Sequence, residues 1–124
     1  MQLNLGDGNR ADVQMANYLR ADKIRDGDIA TFLDAGGMRE AVFKNGEKRN
    51  VIEFHVEVMK ENYVWTMNNQ TLEALGKSWG TNCRQWIGKQ CKLNLVKMNV
   101  FGTMKNIIIG EPLVETERVR GSYR

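Results

Sequence analysis

The chain has 124 residues, of which 42% are hydrophobic and 27% charged, and a formal net charge of +3. That is long enough for one domain with a modest core, and ordinary for a soluble globular protein. The first thirty residues hold no apolar run of signal-peptide length, and stretches such as 107–109 are far too short to span a bilayer, so a soluble cytoplasmic protein with no membrane partner is expected.

Residues 1–17 are polar and without periodicity, and are read as a flexible arm, with residues 18–113 as the folded unit and 114–124 as a tail after Pro112. Within the folded unit, Asp26-Gly27-Asp28 signals a turn. The run Ile29, Thr31, Leu33 against Ala30, Phe32, Asp34 then has the alternation of a strand. Gly36-Gly37 breaks or bulges it, a short strand follows around 40–43, and Asn45-Gly46 marks a hairpin. The clearest strand is "KRNVIEFHVEVM", with Ile52, Phe54, Val56 and Val58 facing a core and Val51, Glu53, His55 and Glu57 facing out. "YVWTM" makes the next strand, with Tyr63, Trp65 and Met67 on one face and Val64 and Thr66 on the other.

A helix follows, with Asn68 or Asn69 as its N-cap, Leu72, Leu75 and Trp79 on one apolar stripe, and Gly80 as its C-terminal cap. "KQCKLNLVKMNVF" alternates Cys91, Leu93 and Leu95 against Lys92 and Asn94. Phe101-Gly102 turns the chain, and "TMKNIIIGEP" is the last strand. Taking the first two strands as joined through a bulge, the order is three strands, a helix and two strands. This is the element order of a mainly β, five-stranded Greek-key barrel of the OB type, with one helix between strands three and four.

Residues 18–112 resemble a group of small bacteriophage and microbial proteins. The resemblance rests on the Asp26-Gly27 turn, Met67-Asn68, Leu75 and Gly80, the "WIGK" element Trp86–Lys89, Leu93, Gly102 and Ile107. Thr71 departs from it, standing where a second asparagine would fall. The resemblance implies an OB-fold protein of the single-stranded DNA-binding or replication-associated type.

The stretch "SWGTNCRQWIGKQC", residues 78–91, has three readings: a metal loop, a stacking surface or a helix-to-strand joint. Cys83 and Cys91 are seven residues apart with no CxxC pair, and His55 is the only histidine, so neither a metal nor another cofactor is expected and the thiols are read as free. Trp79, Trp86 and Ile87 are expected to pack into the core, with stacking by Trp86 the alternative.

No nucleophile–base pair, phosphate loop or metal cluster is assembled in the sequence, and Glu53, His55 and Glu57 read as cross-strand surface charges, so a non-enzymatic role is expected. The charge is uneven. Residues 1–67 carry nine basic and eleven acidic side chains, whereas residues 68–110 carry six basic ones against Glu73 alone. Such asymmetry suits a polyanion partner. A single-strand binder needs cations for phosphates and aromatic faces for bases. Arg39, Lys44, Lys48 and Arg49 flank the Asn45-Gly46 hairpin, Lys92, Lys97 and Lys105 lie on the last two strands, and Phe43 and Phe101 are the stacking candidates. The expected partner is single-stranded nucleic acid, taken as DNA, with no preference over RNA readable from the residues. The alternative is a protein–protein or structural module of a phage or replication complex, acting as a homo-oligomer or with a replication-protein partner.

Overall fold

The computed structural model describes residues 3–6 and 17–113; residues 1–2 and 7–16 of the expected arm and the expected tail, 114–124, lie outside them. In chain order the strands are β1 (Ile29–Phe32), β2 (Gly37–Val42), β3 (Lys48–Val58) and β4 (Glu61–Thr66). The helix α1 (Asn69–Trp79) and the long strands β5 (Gln90–Val100) and β6 (Thr103–Pro112) follow. Short 3-10 helices lie at Ala21–Lys23 and Cys83–Trp86. The strands form one antiparallel sheet in the order β2-β3-β1-β5-β6, with β4 attached to β3.

β3 organises this sheet. Val56 pairs with Phe32 on one side and Tyr63 on the other, and Glu53 pairs with Gly37 on one side and Thr66 on the other. β1 and β2 therefore run along the same edge of β3, as two pieces of one path interrupted at residues 33–36. Six strands stand where five were expected because this interruption is a true break. Gly36 there has φ +76, and a Cβ on it would lie 2.5 Å from the Phe54 ring, so both its conformation and its crowding demand glycine.

The alternation read from β3 and β4 holds for the core. Phe54, Val56, Val58, Tyr63, Trp65 and Met67 are all buried. Val64, expected on the outer face, is buried too, because the chain at residues 17–19 pairs along β4: Leu19 N–H donates to the Val64 carbonyl and Val64 N–H to that of Asn17. Within the expected arm, residues 3–6 are also held to the body. Asn4 exchanges backbone bonds with Thr81 and Cys83, Gly6 N–H donates to Ala35, and Leu3 and Leu5 pack against the core.

Five aromatic rings, Phe32, Phe54, Trp65, Trp79 and Trp86, pack on one another in the interior. Trp86 is fully buried, stacks on Phe54 at 5.1 Å and 14°, and meets Phe32 and Trp79 edge-on. Its indole N–H donates to the Gly80 carbonyl at 3.0 Å, which satisfies the one polar atom its burial would otherwise orphan. The joint reading of residues 78–91 is therefore correct for Trp86, and base stacking by it is excluded. Ile87 corrects the expectation the other way: it is 52% exposed, since the turn that aims Trp86 inward leaves its neighbour outside. Cys83 and Cys91 are free and buried, and burial raises their pKa values to about 11 and about 12.

The helix begins as expected, with the Asn68 side chain accepting from Thr71 N–H, and ends at Gly80, whose N–H returns to the Gly76 carbonyl. It also joins the two ends of the sheet. Among the described residues no backbone ladder links β4 to β6. Instead Asn68 Nδ2 donates to the Ile108 carbonyl at 3.1 Å, and Gly110 N–H donates to the buried Thr71 hydroxyl at 3.0 Å. Gly110 has to be small here, because a Cβ would lie 2.8 Å from Trp65 and 2.9 Å from Thr71.

Candidate functional site

The expected binding residues fall into three groups. Arg39 is set apart by its partner. Glu53 was expected on the wet face of β3 but is fully buried. Its cross-strand neighbour on β2 is Gly37, which leaves space, and Arg39, two residues along on the same face, folds into it. The guanidinium meets the carboxylate through Nε at 3.1 Å and Nη2 at 2.7 Å, and the Thr66 hydroxyl adds a bond at 2.8 Å. The hydrogen bonds it donates to Glu53 hold the Arg39 pKa above its ordinary value, and the Arg39 charge also lies over the Tyr18 ring. A buried carboxylate requires such a partner. Arg39 is thus committed to the fold, unlike the lysines.

The second group lies at the end of the β2–β3 hairpin. Phe43 is 39% exposed, and the Arg49 guanidinium stacks over its ring at 4.4 Å while pairing with Glu47. Lys44 and Lys48 are exposed beside them, with no acidic partner among the described residues. Phe43 and Arg49 form one wall of a cleft of about 480 Å³ that runs to the start of α1 and is lined further by Asn50, Thr66, Asn68 and Asn69. A second cleft, of about 300 Å³, follows over the line between β4 and β6. It shares Thr66 and Asn68 with the first and reaches Asn106 at the root of the last hairpin. Their combined linings form a track from the β2–β3 hairpin to β6.

The third group is on the β5–β6 hairpin. The Asp26-Gly27 turn clamps β5 as far as Leu95, through Gly27 N–H to Leu93, Leu93 N–H to Asp28, and Leu95 N–H to the Asp26 carboxylate. Beyond that point the strands continue as a two-stranded ribbon, residues 96–107, to a two-residue turn. Phe101 and Gly102 both have positive φ there, as such tight hairpins require. Phe101 is 98% exposed at the tip. Lys97 pairs across the ribbon with Asn106, and Lys105 with Met98. Directly opposed residues share a face and successive ones alternate, so Lys97 and Lys105 lie on opposite faces of the ribbon. Lys92, at the ribbon's base, is exposed and sits opposite Glu111.

The other polar residues of β3 are not gathered into an acid–base set. His55 Nδ1 lies 2.7 Å from Asp34, whose other oxygen accepts from the backbone of Gly36 and His55, while Glu57 is exposed opposite Asn62. Among the described residues no group of three metal-ligating side chains occurs, and no helix is long and apolar enough to cross a membrane. What sequence reasoning missed is the polar lining of the track. Asn50, Thr66, Asn69 and Asn106 come from four separate elements, and only the signal for Asn68 or Asn69 as a cap pointed toward that end of the molecule. Comparison with known protein families, curated proteins and solved structures finds none that matches this chain.

Proposed function

We propose that this protein binds single-stranded nucleic acid, DNA in the first instance, without catalysing a reaction on it. The carrying observation is the pair of clefts from Phe43 and Arg49 through the shared Thr66 and Asn68 to Asn106, with Lys44 and Lys48 beside Phe43 in the chain and Lys97 paired across from Asn106. Taken as an OB-type barrel, the molecule has β1 and β2 as one bent strand, and the line between β4 and β6 as the closure, bridged by side chains of Asn68 and Thr71. The track then crosses the barrel face on which such folds bind oligonucleotides. Lys44 and Lys48 at one end, and Lys97 with the exposed Phe101 at the other, supply phosphate contacts and a stacking ring, while Lys105 lies on the ribbon face turned away from Asn106. A replication-associated role in the cytoplasm fits this reading and the resemblance noted from the sequence.

Titration of a fluorescently labelled oligothymidine at low and moderate salt tests it. Binding at low salt that weakens steeply as salt rises is expected, because each neutralised phosphate releases a counterion. Absence of binding at low salt would overturn the proposal.

One observation favours a second reading, a protein-interaction module. The ribbon face that carries Val96, Met98, Val100, Ile107 and Ile109 is largely apolar, and Met104 on the other face is 61% exposed. Light scattering with and without DNA separates the two: a stable oligomer indifferent to DNA supports the module.

A further inference from the structure

Lys44, Lys48 and Lys97 lie at the ends of the track, but its interior has a different chemistry. Between Phe43–Arg49 and β6, the polar side chains lining the two clefts are largely neutral: Asn50, Thr66, Asn68, Asn69 and Asn106, with Arg20 at the margin already paired to Asp22. A phosphate offers only acceptors and is best met by cations or N–H groups. A carboxamide offers two donors and an acceptor, the mixed pattern that unpaired base edges present. Asn68 is spent, since its oxygen accepts from Thr71 and its nitrogen donates to Ile108. Asn50, Asn69 and Asn106 are exposed and keep both functions for a ligand. At the mouth of the larger cleft, the stacked Phe43–Arg49 pair gives a flat, cation-backed surface, the kind on which a nucleobase lies.

We infer that the track holds bases inward and phosphates outward, and that the cleft between Phe43, Asn50 and Asn69 takes a single unpaired nucleobase by stacking and base-edge hydrogen bonds. This rests on the single-strand-binding reading and extends it. The protein discriminates among bases, whereas a purely electrostatic binder would follow the backbone alone.

The test compares equal-length oligomers of thymidine, deoxyadenosine and deoxycytidine with an abasic deoxyribose-phosphate oligomer, at one fixed salt concentration, on the full chain. The abasic oligomer is expected to bind at least about fivefold more weakly than the best homopolymer, the lower end of what one stacked base contributes. The homopolymers are expected to differ from one another. The double variant Asn50→Ala/Asn69→Ala should bring them together while leaving the salt slope and the abasic affinity unchanged. Both positions are exposed, and a melting curve shows that the variant folds. Phe43→Leu should weaken every homopolymer and spare the abasic one. The same series on ribo-oligomers shows whether the base is taken from DNA or RNA, and discrimination in either supports the inference. Equal binding of abasic and base-bearing oligomers overturns the inference alone. Failure of every oligomer to bind at low salt overturns the nucleic-acid reading, and the inference with it.

Discussion

The aromatic interior and the β5–β6 ribbon are built from similar residues and put to opposite use. Inside, Phe32, Phe54, Trp65, Trp79 and Trp86 contact one another as ring pairs, and the only polar atom on Trp86 has a partner. Outside, Phe101 stands at 98% exposure on a tight turn, Val96 and Met104 are exposed, and Met98 is half-buried. A two-stranded ribbon is marginal by itself in water, and among the described residues the backbone bonds that tie this one to the body lie at its base, in the Asp26-Gly27 clamp and β1. The contrast teaches that exposure, not residue type, separates side chains that make the fold from those left available for contact.

The largest test of this contrast is Trp86→Ala. Removing a ring packed on three others should cost about 3–5 kcal/mol, the range for emptying a large aromatic site, measured by urea unfolding. A loss below about 1 kcal/mol would mean that the interior is not packed as described.

A second test uses the thiols. In the unfolded chain a cysteine ionises near pH 8.5, whereas burial keeps Cys91 protonated up to about 12 in the native state. The folded pKa is raised, so the stabilisation is complete below the unfolded value and is lost as pH climbs towards the folded one. Unfolding free energy should fall between about pH 9 and 11, with Cys91 contributing roughly 1.4 kcal/mol per pH unit, and Cys91→Ala should flatten that slope. A slope unaltered in the variant would show the thiol to be reachable by solvent.

The smallest expected effect lies on the ribbon. Phe101→Ala should change unfolding free energy by less than about 0.5 kcal/mol, as substitutions at exposed sites do. It should nonetheless weaken oligothymidine by roughly fivefold or more if the ring stacks on a base. A variant that loses stability and keeps its affinity would reverse the roles assigned to the two regions.

Much of this fold was legible because alternation is local. The inward set of β3, the cap at Asn68 and the turns at Asn45-Gly46 and Phe101-Gly102 could all be read from a few neighbouring residues. Glu53 could not. Its burial depends on a glycine on the neighbouring strand, a hydroxyl on the strand beyond, and an arginine fourteen positions earlier, brought together only by register. Ile87 misled because apolar character says nothing about which way a turn points its second residue. Of the candidate site, the exposed Phe43, Phe101 and lysines were visible as turn residues and outward strand positions. The polar track was not, since its members are ordinary surface types until four elements converge.

The bridge from Asn68 and Thr71 to β6 has a mechanical consequence. A line of joining made by side chains on one helix, rather than by a ladder, is a directional weakness. Separating β4 from β6 there leaves every ladder of the sheet intact, while parting any two paired strands means unzipping a run of backbone bonds. The smaller cleft lies along that line. The wall a strand would have to push against to seat itself more deeply is therefore also the part of the shell that yields at least cost.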